Sequence, residues 1–142
     1  MRKIVLCVSI LAAMALAGCD LRPTSSHGFQ LPEGDATAGR QVFIDKKCAS
    51  CHVIAGMEVL REGLEIENTV PIGGMKTNVD TYGQLVSSVI NPSHKIARAY
   101  RSEAFSEDGV SKMRNYNDEM TVSELIDLVA FLQAQYSEFP DY

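Results

Sequence analysis

Two cysteines and a histidine form the strongest chemical pattern in the chain, Cys48-Ala49-Ser50-Cys51-His52. Two thiols separated by two residues can each form a thioether bond with one of the two vinyl groups of a haem. The histidine that follows then lies under the iron as its proximal ligand. The pattern therefore predicts one covalently attached haem c, with the ring held by the cysteines and the iron bound by His52.

Three other kinds of site use a cysteine pair, and each lacks something in this sequence. A thioredoxin-like redox pair belongs in a βαβ context, which the chain does not indicate. A tetrahedral zinc site needs four ligands, and no second Cys or His pair stands at short spacing. A structural disulfide between Cys48 and Cys51 would leave His52 without a role. Haem attachment is the interpretation that uses all three side chains.

The start of the chain has the features of an export signal. A short basic start precedes an apolar run over residues 4–17, which is shorter than the ~20 residues that span a bilayer as a helix. The run ends in Leu-Ala-Gly-Cys at Cys19, which resembles the lipobox of bacterial lipoproteins. We therefore predict a lipoprotein signal peptide over residues 1–18 and a lipid on Cys19. An ordinary secretory signal and an uncleaved membrane anchor are the alternatives.

Export also affects location and charge. Removal of residues 1–18 takes away two basic residues and no acidic ones, so the formal net charge changes from −5 to −7. An acidic protein of this kind is a poor partner for nucleic acid. Asp20, directly after the lipidated cysteine, resembles a signal for retention at the inner membrane. We therefore expect a lipid-anchored protein of the bacterial cell envelope that faces the periplasm, on the inner membrane.

A tether and one small domain account for the rest of the chain. Residues 19–34 combine the lipidated N-terminus with prolines, glycines and serines that show no apolar periodicity, which predicts a flexible tether. Residues 35–142 have the length of a single domain.

Three helices are indicated within this domain, at about 36–46, at about 82–90 and from 121 to about 135. The last of them begins with a capping box formed by Thr121 and Glu124. No convincing strand alternation is present. The predicted fold class is therefore all-α, with long loops.

Gly39 lies inside the first predicted helix, which has Asp35 as its N-cap. A glycine inside a helix costs about 1 kcal/mol relative to alanine. Such a glycine usually permits the close approach of another backbone. We therefore expect a second helix to cross the first one at this position.

The order of these features resembles the class I cytochrome c family, in a monohaem, bacterial lipoprotein form. The resemblance is carried by the first helix and the haem motif, at Gly34, Asp35, Ala36, Gly39, Phe43, Cys48, Cys51 and His52. It extends over about residues 34–136. It implies a small cytochrome c-like fold in which the N- and C-terminal helices cross around one covalently bound haem. The first helix would then meet the last one at Leu128 and Phe131.

The resemblance also implies a sixth ligand for the iron, which this family usually supplies as a methionine from a loop shortly before the last helix. Met113 has nearly the family's spacing from that helix and is the expected ligand. The metal would then be bound by His52 and Met113. Met120, His94 and Met75 are the alternatives, as is an open site.

Two further residues are candidates for the surroundings of these ligands. Pro71 begins a stretch that resembles the family's Pro-x-x-Gly sequence, in which the proline carbonyl accepts a hydrogen bond from the proximal histidine. Pro71 is therefore the expected acceptor for His52, with an ordinary loop proline as the alternative. Arg114 follows Met113 where many relatives have proline. It is a candidate partner for a haem propionate, and its alternative is a residue that faces solvent.

A haem iron with two protein ligands is closed to substrates and exchanges single electrons. The resemblance therefore implies a one-electron carrier and not an enzyme. Redox proteins would be its partners, without nucleic acid or a small-molecule substrate. The carrier is either a free shuttle or the cytochrome subunit of a larger membrane oxidoreductase. A haem-based sensor or ligand-binding protein with a labile sixth ligand is the alternative from another class.

Overall fold

The computed structural model of the chain describes residues 30–64, 67–75 and 81–137. The predicted signal peptide, the lipidated Cys19 and most of the predicted tether lie outside these residues. Within the described part of the chain, no helix has the length and the apolar character needed to cross a membrane. The signal peptide and the lipid anchor therefore remain predictions from the sequence.

Three α-helices form the framework of the domain. They are α1 (Ala36–Asp45), α2 (Tyr82–Ile90) and α3 (Val122–Gln133). Each of them overlaps closely with a helix predicted from the sequence. α2 ends at Ile90, because its C-cap Asn91 precedes Pro92 and a residue before proline avoids the helical conformation.

Side-chain caps start two of these helices as the sequence predicts. The Asp35 carboxylate accepts hydrogen bonds from the N–H groups of Thr37, at 2.7 Å, and Ala38, at 3.3 Å. At the start of α3, the Thr121 hydroxyl accepts from the Glu124 N–H at 3.1 Å. The Glu124 carboxylate accepts from the Thr121 N–H at 2.7 Å in return. Local sequence therefore decides where α1 and α3 begin.

Four short strands join the helices. β1 (His52–Ile54) pairs in parallel with β2 (Val70–Ile72), and β3 (Ser106–Glu107) pairs in antiparallel with β4 (Val110–Ser111). Strands of two or three residues are too short to show an apolar alternation of period two. The domain is therefore mostly helical, and the all-α prediction misses these two small sheets.

α1 and α3 cross at the centre of the domain, in the most extensive contact between described helices. Gly39 makes this crossing possible, because a Cβ atom at that position would lie 1.9 Å from the carbonyl oxygen of Asp127. The rings of Phe43 and Phe131 pack beside it, with centroids 5.6 Å apart. Leu128 is buried in the same apolar cluster. The crossing therefore lies where Gly39, and the resemblance of the sequence to the family, predicted it.

The last residues of the predicted tether pack against the domain. Leu31 is half-buried against the core, and its N–H donates to the Tyr82 hydroxyl at 3.3 Å. The Asp35 N–H donates to the carboxylate of Asp127 at 2.9 Å. The packed structure therefore begins before residue 35. The sequence had suggested residue 35 as the start of the domain.

We predict that Gly39→Ala lowers the free energy of unfolding by about 1–3 kcal/mol, because the added methyl group must push α1 and α3 apart. Guanidinium unfolding of the haem-loaded protein measures this loss. Gly83→Ala is the matched control. A Cβ atom at Gly83 meets no atom within 4 Å, and alanine favours the helix by up to about 1 kcal/mol. Equal stability of the two variants would show that the crossing tolerates a side chain.

Candidate functional site

The cysteine segment begins directly after α1. Lys47 has a left-handed backbone, with φ of 56°, and turns the chain from the helix into a short 3-10 helix at Cys48–Ser50. Cys48 is half-buried, Cys51 is exposed, and both thiols are free of disulfide bonds. The end of α1 therefore presents two free thiols immediately before His52.

Burial raises the pKa of the Cys48 thiol to about 11. This thiol is therefore neutral at physiological pH. Since the thiolate is the reactive form of a cysteine, burial makes Cys48 a weak nucleophile in this structure.

His52 is the first residue of β1, and the neighbouring strand orients its ring. Its Nδ1 atom lies 3.3 Å from the carbonyl oxygen of Val70. A carbonyl can only accept, so Nδ1 donates the proton and Nε2 keeps its lone pair. Burial lowers the pKa of His52, and the hydrogen bond to Val70 partly opposes this shift. The imidazole is therefore neutral and has Nε2 available, which is the form that binds a metal.

In this structure the acceptor of this hydrogen bond is the Val70 carbonyl, one residue before Pro71, which the resemblance implies as the acceptor. The register of the parallel pair sets His52 against Val70 and Val53 against Pro71. The Val70 N–H also donates to the Cys51 carbonyl at 2.9 Å, which holds that register. A backbone carbonyl still orients the ring, but it comes from one residue earlier in the chain.

β2 is fixed from its other end by the residues that follow α3. A Cβ atom at Gly73, where φ is 89°, would lie 2.6 Å from the carbonyl oxygen of Gln135. The Gly74 N–H donates to the same carbonyl at 2.9 Å, and the Ser137 N–H donates to the Gly74 carbonyl at 3.1 Å. The strand that orients His52 is therefore attached to the C-terminal end of α3.

The described methionines differ in where their side chains lie. Met57 and Met120 are half-buried against the hydrophobic core, and Met75 is 72% exposed. Met113 is half-buried and lies outside that core cluster. The alternative ligand His94 is exposed, and its Nδ1 atom lies 2.9 Å from a carbonyl oxygen in its own turn. Met113 is thus the methionine that is neither core filler nor fully exposed.

The chain around Met113 is anchored on both sides. On its N-terminal side, the Ser111 hydroxyl accepts from the Met113 N–H at 3.2 Å, and the Ser111 N–H donates to the Ser93 hydroxyl at 3.1 Å. On its C-terminal side, the Tyr116 hydroxyl donates to the Lys46 carbonyl at 2.8 Å. The sequence did not indicate this contact between Tyr116 and Lys46, because no local pattern signals a contact between residues so far apart in the chain.

Arg114 has protein partners in this structure. Its guanidinium forms an ion pair with Glu119 and lies over the Tyr116 ring, 5.1 Å from the ring centroid. The two charged side chains are 61% and 49% exposed, so solvent screens the ion pair and its contribution to stability is small. The propionate contact expected for Arg114 stays a prediction.

The donor atoms of the site fit a covalent haem. Two free thiols precede a neutral imidazole, so the chain offers both thioether links and one nitrogen ligand. In the described ranges, no group of three or more His, Cys, Asp or Glu side chains is placed to hold a metal ion.

The chain matches the family model described as cytochrome c over residues 36–135. The matched range runs from the first residue of α1 to just beyond the end of α3, and it includes the cysteine segment and Met113. No curated protein and no solved structure gives a significant match.

We predict that the Cys48→Ala, Cys51→Ala double variant loses covalently bound haem, because no thiol of the site remains to form a thioether. Each single variant should keep one link and bind the haem less stably. Haem-dependent peroxidase staining of the denatured protein on a gel measures covalent retention. Ser50→Ala is the matched control inside the same segment and should retain the haem. A double variant that carries covalent haem normally would refute the site.

Proposed function

This chain belongs to the cytochrome c family, and we propose that it carries single electrons from a lipid anchor on Cys19, with His52 and Met113 as the axial ligands of the iron. Members of the family carry electrons on a c-type haem, which Cys48 and Cys51 attach here as C-x-x-C-H. The observation that supports the axial pair is the position of Met113, half-buried outside the core and on a segment anchored at both sides.

The haem supplies reversible one-electron exchange at its iron, and the residues of the chain set the conditions for it. The two thioether bonds keep the group attached through repeated cycles. The Val70 carbonyl holds the His52 ring in one tautomer, and such a hydrogen bond makes the ligand more basic. The Met113 thioether, bound to the iron, would favour its ferrous state and raise the reduction potential.

The anchoring of the Met113 segment also bears on the choice between a carrier and a sensor. A haem-based sensor needs a sixth ligand that leaves readily. Here the Ser111–Ser93 bond holds the segment on one side and the Tyr116–Lys46 bond holds it on the other, which supports a closed iron. A closed iron exchanges electrons and binds no substrate, so redox proteins are the expected partners.

The location is proposed from the first 20 residues of the sequence. The short apolar run, the lipobox-like end at Cys19 and the following Asp20 together support a lipoprotein of the inner membrane that faces the periplasm. The mature charge of −7, after loss of the two basic residues of the signal, supports a redox partner with a basic docking patch. The same features suit a free shuttle and a subunit of a membrane oxidoreductase.

We predict that Met113→Ala opens the iron. The oxidised variant should lose the weak far-red absorption band of sulfur bound to ferric haem. The reduced variant should bind carbon monoxide rapidly, and its reduction potential should fall because the thioether is gone.

Met120→Ala is the matched control for this experiment. Met120 packs against the core, so its loss should lower the stability of the fold and leave the far-red band in place. Loss of the band in Met120→Ala alone would move the ligand to Met120. If the unmodified protein lacks the band and binds carbon monoxide rapidly, the sensor alternative is favoured.

Cys19→Ser tests the lipid anchor, because a serine hydroxyl replaces the thiol that takes the lipid. We predict that the variant leaves the membrane fraction, when cells are fractionated and the haem-containing protein is followed. Cys7→Ser lies inside the signal and is the matched control, which should stay in the membrane fraction. Persistent attachment of Cys19→Ser would identify the apolar segment itself as the anchor.

A further inference from the structure

We propose that Lys46 and Tyr116 are positioning residues, which hold Met113 in place as the sixth ligand by tying its loop to the end of α1. The proposal rests on the proposed ligation by His52 and Met113 and deepens it. It concerns the side chains that keep the methionine bound, which the sequence does not indicate.

The Lys46 side chain joins two parts of the chain that follow Met113. Its ammonium nitrogen lies 2.7 Å from the carbonyl oxygen of Glu119 and 3.1 Å from the Glu124 carboxylate. Only 17% of this lysine side chain is exposed. Hydrogen bonds of a charged group are stronger than neutral ones, and the partial burial reduces competition from water. Lys46 therefore connects the end of the Met113 loop to the first turn of α3.

Tyr116 makes the complementary bond to the backbone of the same residue. Its hydroxyl donates to the Lys46 carbonyl at 2.8 Å, and the residue is half-buried. We call the four residues Lys46, Tyr116, Glu119 and Glu124 the Lys46 clamp. Lys46 is the C-cap residue of α1, and through the clamp both its backbone and its side chain hold the loop.

The clamp leaves only a short stretch of the loop without such ties. Ser111, whose N–H donates to the Ser93 hydroxyl, fixes the chain two residues before Met113, and Tyr116 fixes it three residues afterwards. The Asn117 side chain also donates to the Ile90 carbonyl at 2.9 Å, which adds a tie to the end of α2. Met113 therefore lies on a short segment between two anchored points, and opening of the clamp would leave it freer to move.

The same clamp connects the two ligand-bearing segments. Lys46 stands directly before Lys47, which turns the chain into the cysteine segment and His52. The clamp thus attaches the Met113 loop to Lys46, and the segment that carries His52 begins one residue later. A residue in this place can set how closely the two ligands face each other.

The test compares Lys46→Met with Lys95→Met in the haem-loaded protein, because the exposed Lys95 side chain bonds Gln84 and lies outside the clamp. Imidazole binds ferric haem only after the methionine has left, so its rate of binding reports how often the loop opens. Methionine at residue 46 keeps an apolar stem and removes both ammonium contacts. It leaves the capping box of α3 intact. We expect Lys46→Met to bind imidazole about tenfold faster than the unmodified protein, while Lys95→Met binds it at the unmodified rate.

Tyr116→Phe provides a second variant that removes one oxygen atom and keeps the ring. Its imidazole binding should be about fivefold faster, as expected for the loss of one hydrogen bond. Tyr100→Phe is its matched control, because the Tyr100 ring packs edge-on against Phe105 and lies outside the clamp. If Lys46→Met does not fold, the tyrosine pair decides the question alone.

The far-red band and the unfolding free energy separate the possible outcomes. A purely structural clamp would lower the free energy of unfolding and leave the imidazole rate unchanged, which would overturn the proposal. Unchanged rates in the variants, in a protein that shows the far-red band, would overturn the clamp and leave the ligation by Met113 standing. A protein without the band would overturn both. Faster binding in Lys46→Met and Tyr116→Phe, with both controls unchanged, supports the clamp.

Discussion

The close approach of α1 and α3 at Gly39 is the constraint on which the rest of the structure depends. Because the backbones meet there, the C-terminal end of α1 presents the cysteine segment beside the first turn of α3, where Lys46 reaches Glu124. The other end of α3 leads to Gln135, which holds the strand that orients His52. The packing of one helix pair therefore controls both segments that carry candidate ligands.

Backbone groups do much of the work around His52. The Val70 carbonyl is a neutral acceptor, so it orients the imidazole without adding a charge that would favour the protonated ring. Burial lowers the pKa of His52, and the hydrogen bond to Val70 opposes this shift only in part. A neutral ring with a fixed tautomer is what a metal ligand requires. The same two effects also explain why a short two-stranded sheet, and not a side chain, suffices to set this ligand.

The sequence predicts what local patterns determine, and it misses what distant contacts determine. Asp35, Thr121 and Glu124 act on their own helices, so the starts of α1 and α3 follow from neighbouring residues. Val70, and not Pro71, lies opposite His52 because of the register between β1 and β2, which a long loop separates in the chain. No local pattern specifies this register. The clamp is hidden for the same reason, because Tyr116 and Lys46 come together only when the helices cross.

Arg114 shows how a local constraint can be replaced by a distant one. Proline stiffens a loop by restricting the unfolded chain, whether or not the rest of the protein is packed. Arg114 lacks that restriction, and its exposed ion pair with Glu119 contributes little. The stiffness of the Met113 loop must then come from bonds that exist only in the folded state, chiefly those of Lys46. The proposed ligation by Met113 would then be coupled to the integrity of the α1–α3 contact, since Lys46 belongs to one helix end and Glu124 to the other.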